Sequence, residues 1–358
     1  MQPSQSQTWR SVHFARGDPL STSRLTPHAS QQTPPGVTTN VPDPAAEPTL
    51  RPVVIVVVGA TGESEYAPQF ARWAGLWEQA CSKGNAEFVP IGLDESGTSA
   101  DRVRLQEALG KHSQPTTAPL WLVLIGHGTF DGRVARFNLR GPDLSARDLA
   151  AWLKPIPRPL AVINTTSASA PFLRELSAPG RIVITATKSG FEHNYARFGQ
   201  YLAEAIAEPQ ADLDKDGQTS LLEAFLTASN AVAAFYTAAG RLATEHALLD
   251  DNGDGLGTPA DWFRGIRPVQ KARPPARSAA SAAGATLDGY RAHQLPLVHS
   301  PTETAMPAGL RAKRDHLELQ IMTLRDAKAQ LSEDEYFAKL EPLLREIARI
   351  YEQTDTVR

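Results

Sequence analysis

Pro52-Val-Val-Ile-Val-Val-Val58-Gly59-Ala-Thr-Gly62 is the stretch that decides how the rest of this chain is read. Six successive β-branched residues without polar alternation describe a strand covered on both faces, since a half-solvated strand would alternate. The glycines of 59–62 then turn the chain. Over residues 65–82, apolar side chains recur at Phe70, Trp73, Ala74, Trp77 and Cys81, a helical period. Cys81 falls on that stripe and is read as a core residue.

Working outward, the alternation repeats. Residues 88–91 form a second short strand, and 99–110 a helix. Leu120-Trp-Leu-Val-Leu-Ile125 is a third strand, and 143–153 a helix capped by Ser145. Residues 160–163 and 181–185 complete five strands. Strands alternating with helices give an α/β fold with a mostly parallel sheet flanked by helices. Such sheets build their sites at the carboxyl ends of strands.

Composition narrows the function classes. The chain has 358 residues, 41% of them hydrophobic, and its 36 basic and 39 acidic residues leave a net charge of −3. That excludes bulk electrostatic attraction to nucleic acid or an anionic membrane. A single cysteine excludes an internal disulfide framework and a thiolate zinc cluster. No apolar run approaches the ~20 residues of a membrane span.

Four segments are expected. Residues 1–50 read as a disordered tail, because Ser, Thr, Pro and Gln fill 26 of the 50 positions. Residues 51–264 form the α/β domain, with helical sequence from 198 to about 249 broken once near Asp212. Residues 265–309, rich in Pro, Ala and Ser, have linker composition. Residues 310–358 read as a helical hairpin. Leu310, Leu317, Ile321, Leu324 and Leu331 mark one seam, and Phe337, Leu340, Leu344, Ile347 and Tyr351 the other. A capping box at Ser332 and Glu335 starts the second helix. Helix-mediated association is expected through 310–352.

Two loops carry a metal signature. Asp212-Leu-Asp-Lys-Asp-Gly-Gln-Thr-Ser-Leu-Leu-Glu223 matches the twelve-residue EF-hand calcium loop. Asp212, Asp214 and Asp216 take positions 1, 3 and 5, Gly217 the turn at 6, the Gln218 carbonyl position 7 and Glu223 the bidentate position 12. The second loop covers 250–261. It offers Asp250, Asn252, Asp254, the Leu256 carbonyl and, at position 12, the shorter Asp261. Ca2+ is therefore the expected ligand, with Asp261, Gly257 and Pro259 weakening the second site. A static staple is favoured over a switch, as no Met-rich groove accompanies the loops. Calcium use suits an extracytoplasmic setting, although no export signal is visible at the amino terminus.

Ile125-Gly-His-Gly128 after one strand, Ile163-Asn-Thr-Thr-Ser-Ala-Ser-Ala170 after the next and the segment 183–195 after a third resemble the caspase–legumain superfamily of cysteine peptidases. The resemblance covers roughly residues 52–201. It implies a caspase-hemoglobinase-like fold and a His127 base. It also implies a nucleophile position held here by Ser167 or, with a one-residue shift, by Thr166. The superfamily uses cysteine there, and this chain has none nearby. A thiol of pKa ~8.5 is partly ionised at neutral pH. A serine hydroxyl needs a base oriented by a third group. The expectation is therefore a calcium-binding, non-catalytic peptidase homologue acting through interaction with a protein or peptide partner. The alternatives are an active endopeptidase using Ser167 with His127 as base, and a calcium-stapled module without an active site. No G-x-S-x-G elbow, H-E-x-x-H helix or phosphate loop occurs.

Overall fold

The computed structural model describes residues 51–94, 100–272 and 286–355. The chain divides into two units, Met1–Pro48 and Thr49–Arg358. The described residues belong to the second, and the tail expected over 1–50 lies outside them. In chain order they form β1 (Val53–Val58), α1 (Tyr66–Lys83), β2 (Glu87–Ile91), α2 (Asp101–Lys111), β3 (Leu120–Ile125), β4 (Gly128–Phe130), β5 (Ala135–Phe137) and β6 (Leu144–Ser145). Next come α3 (Ala146–Leu153), β7 (Leu160–Asn164), α4 (Ala170–Leu176), β8 (Arg181–Thr185), α5 (Phe198–Ala205), α6 (Leu221–Ala238), β9 (Leu248–Asp250) and β10 (Thr258–Pro259). The two-residue strands β11 (Phe263–Arg264) and β12 (Arg267–Pro268) follow, then α7 (Tyr290–His293), α8 (Pro301–Ala305), α9 (Ala308–Asp326) and α10 (Glu333–Asp355).

Seven strands share one sheet in the order β10-β9-β8-β7-β3-β1-β2. The five strands expected from sequence run parallel. Val53 pairs with Leu120, Leu120 with Leu160 and Leu160 with Arg181. This register sorts the apolar runs onto two faces. Val54, Val56, Trp121, Val123, Ile163 and Ile184 bury against α1, α5 and α6. Val53, Ile55, Val57, Leu122, Leu124 and Val162 bury against α2, α3 and α4. Both faces need apolar side chains, which is why these strands show no alternation. Trp77 and Trp121 meet across the first layer with ring centroids 6.2 Å apart. Cys81 lies in that layer, and burial pushes its thiol up to about 12.

Several elements differ from the sequence expectation. The helix expected to run to about 249 ends at Ala238, and Gly240 takes a left-handed φ of 61° just after it. Residues 248–250 are instead a strand antiparallel to β8, with Ile184 opposite Leu249. The physical reason is two-sided burial: Leu249 packs into one layer and Leu248 against the other. The small sheet β4-β5-β6 and helix α4 were not foreseen. Of the expected linker, 273–285 lies outside the described residues. Residues 286–309, however, carry α7, whose first N–H groups donate to buried Asp251, and α8, capped by Ser300 Oγ accepting from the Glu303 N–H. Helices α9 and α10 pack against each other, with the Ser332–Glu335 capping box present. On α10 the buried face is shifted by one residue from the expected seam. Tyr336 and Ile350 are buried, whereas Phe337, Leu344 and Tyr351 are 50%, 49% and 43% exposed. No helix among the described residues is long and apolar enough to cross a membrane.

Candidate active site

The carboxyl ends of β1, β3, β7 and β8 bring their loops together. His127 follows β3, after Gly126. Its Nε2 lies 3.0 Å from the carbonyl oxygen of Thr61 in the loop after β1. A carbonyl only accepts, so Nε2 carries the ring proton and Nδ1 is left as the acceptor. The ring is walled by Tyr66 at 4.9 Å, Phe70 at 5.3 Å and Tyr195 at 6.3 Å between centroids. Tyr195 comes from the segment after β8, and its hydroxyl, pushed up to about 12 by burial, donates to Gln69. The group that orients the His127 imidazole is thus a main-chain carbonyl, a feature that leaves no side-chain signature in a sequence.

Ser167 sits in the turn after β7, 5% exposed. Its Oγ donates to the Gly128 carbonyl at 3.1 Å and accepts from the Gly128 N–H at 3.4 Å. No hydrogen bond joins it to His127 among the described residues. The close approach explains Gly128, since a Cβ there would stand 2.2 Å from the Ser167 carbonyl oxygen. Thr166, the other candidate, is buried, and its hydroxyl donates to Asn164 Oδ1 at 2.7 Å. Ser169 is a staple: its Oγ accepts from the N–H groups of Ala186 and Thr187, tying the β7 turn to the β8 turn. His193 is exposed beside Phe191 and does not reach His127. Glu192 is a hub that sequence reasoning missed. Its carbonyl accepts from Ala168, and its carboxylate meets Lys188 N–H and His246.

The two acidic loops share one backbone. Asp212 accepts from the N–H groups of Lys215 and Gly217, and Asp250 from those of Gly253 and Gly255. Positions 3 and 5 repeat the pattern: Asp214 and Asn252 each accept from position 5, while Asp216 and Asp254 each accept from position 7. Positions 4 and 6 are left-handed in both, with φ of 66° and 91° at Lys215 and Gly217, and 79° and 73° at Gly253 and Gly255. In the first loop, one oxygen from each of Asp212, Asp214 and Asp216 lies within 4.8 Å of the others. A cation held ~2.3–2.6 Å from each fits that spacing. Glu223 is already engaged. Its two oxygens accept from Leu213, Asp214, Ser220 N–H and Ser220 Oγ, so bidentate binding would exchange some of these donors. The Gln218 side chain spans Asp216 and the Ser300 N–H.

The second loop departs further from expectation at position 12. Asp261 is exposed and lines a cleft beside α6. Buried charge is supplied elsewhere. Asp250, Asp251 and Asp288 are each at most 3% exposed, and no salt bridge reaches any of them among the described residues. Asp251 accepts from Gly289, Arg291 and Ala292 at the start of α7, and Asp288 accepts from Asp251, Asn252 and Thr258 Oγ1. Burial, with the neighbouring carboxylates, holds Asp250 and Asp288 above the ordinary carboxylate range and Asp251 at about 6. At the far end of α7, His293 Nε2 meets Asp214 Oδ2 at 2.9 Å. Asp288 and His293 fell within linker-like sequence and gave no motif.

Among solved structures, the chain is similar to the Drosophila initiator caspase Dronc and to caspase-1 from Spodoptera frugiperda. With Dronc the identity is 13% and the TM-score 0.39, over 56% of this chain and 78% of that one. With the Spodoptera protein they are 9% and 0.37, over 56% and 87%. No protein-family model and no curated protein matches the chain.

Proposed function

We propose that this protein is a calcium-binding, caspase/legumain-like peptidase homologue that engages a protein or peptide without cleaving it. One observation carries the non-catalytic reading: the Ser167 hydroxyl donates its proton to the Gly128 carbonyl. A serine becomes a nucleophile when its proton is handed to a base, and here that proton is committed to an amide oxygen. In the cysteine peptidases it resembles, a thiolate would attack directly. The calcium reading is supported by the matched loop backbones and by buried carboxylates without basic partners, since buried charge is paired or coordinates a metal. When bound, Ca2+ would supply positive charge and rigidity. Asp212, Asp214, Asp216 and the Gln218 carbonyl would hold it in the first loop. Asp250, Asn252, Asp254 and the Leu256 carbonyl would hold it in the second, with the weaker donor set.

A second reading, an endopeptidase using Ser167, is favoured by the Thr61 contact, which leaves His127 Nδ1 as an acceptor. The two readings part in one assay. Calcium-loaded protein is incubated with a fluorogenic peptide library alongside its Ser167→Ala variant. The expected outcome is no turnover above background in either. Turnover lost in the variant would establish the endopeptidase.

A further inference from the structure

We infer that the cleft beside α6 binds a polypeptide by accepting one large apolar side chain. The cleft has a volume of about 640 Å3, within the ~300–1,000 Å3 of ligand sites. It lies apart from His127 and Ser167, neither of which lines it. Phe198, Leu226, Val232 and Phe263 form apolar walls. Leu213 of the first acidic loop and Asp261 of the second also line it, so both loops help shape one binding space.

The mouth states the ligand chemistry. Lys188 and Asp261 bring one charge of each sign, and neither side chain has a partner among the described residues. Glu245 and His246 line the cleft too, but Glu245 is engaged by Arg197, Phe198 and Tyr236 and His246 by Glu192, so the unpaired charges are one of each sign, which suits a neutral ligand better than an ionic head group. Asn230 adds a carboxamide, donor and acceptor together, matching a peptide unit. A second observation points to an apolar ligand. Leu242 is 90% exposed, and the next residue, Ala243, lines the cleft. A leucine standing in water one residue from the cleft lining is an apolar surface that a bound apolar segment would cover. Gly240, with its left-handed φ, sets the turn that carries Leu242 there.

The assignment rests on the reading of this protein as one that binds polypeptide. Its test uses the full chain and fluorescein-labelled, amide-capped peptides Ala-Ala-Xaa-Ala-Ala with Xaa as Phe, Leu, Ser or Asp, read by fluorescence anisotropy. The Phe and Leu peptides are expected to bind about tenfold or more tighter than the Ser and Asp peptides. Ala233→Trp, on the exposed face of α6 at the mouth, is expected to remove that preference. Leu242→Ser, which disturbs no packing, is expected to weaken the Phe peptide several-fold. Equal binding of all four peptides, no binding of any, or preference unchanged in both variants would overturn the cleft assignment and leave the non-catalytic reading standing. Cleavage of the peptides in the same wells would instead overturn the non-catalytic reading.

Discussion

Glu245 shows how one side chain can hold several elements and still be sensitive to pH. It is 2% exposed and accepts from the N–H groups of Arg197 and Phe198 and from the Tyr236 hydroxyl. Burial keeps its carboxyl above the usual 4.5. The folded chain therefore holds this proton at pH values where the unfolded chain has released it. Stability from this group is fully present below about pH 4.5 and is lost as pH rises through the folded value. Melting temperature measured from pH 4.5 upward should fall less steeply for Glu245→Gln than for the parent. Parallel profiles would show that Glu245 is not the titrating group. At the same scale, His127 was legible because a His between glycines at a strand end is unusual. The Thr61 carbonyl that orients it was not, since any residue supplies a carbonyl. The hydroxyl of Ser167 was legible as a candidate, but its pairing with Gly128 depends on two turns meeting in space.

At the scale of elements, buried strands were readable because a sheet covered on both faces demands unbroken apolar runs. Val53–Val58, Leu120–Ile125 and Arg181–Thr185 stand where the sequence put them. The antiparallel edge was not readable, because the three residues of β9 carry too little pattern to compete with a preceding helix. Helix α10 teaches the same lesson about faces. Its apolar residues cover a wide arc, so the sequence allows two neighbouring seams, and only packing against α9 selects Tyr336 and Ile350. Ile350→Ala should cost about 2–5 kcal/mol of hairpin stability. Leu344→Ala, on the half-exposed stripe, should cost well under half as much. Circular dichroism melts of the two variants decide the register, and equal losses would mean that the stripe of Phe337, Leu344 and Tyr351 is buried in solution. That stripe is the surface we propose for association through 310–352.

For the whole molecule, the acidic loops were legible as motifs, but their surroundings were not. The partners of the second loop come from Asp288 and α7, some 30 residues on, across a stretch whose composition suggested a linker. Calcium should raise the melting temperature of the full chain. At 100 times Kd, a single site adds about 2.7 kcal/mol. For a chain of 358 residues, at ~2.1 cal/mol/K of unfolding entropy per residue, that corresponds to about 4 °C. Differential scanning fluorimetry of the Asp212→Ala, Asp250→Ala double variant should show no such rise, and an undiminished rise would place the ion elsewhere.

The segment from Asp288 to Ser300 is fastened at one end to the second acidic loop and at the other to the first, through His293 and the Ser300 N–H. The chain then runs on through α8 into the hairpin. On the proposed calcium reading, a chelator acting on either loop would slacken a tether, and the first place to register the loss would be two long helices that lie outside both loops.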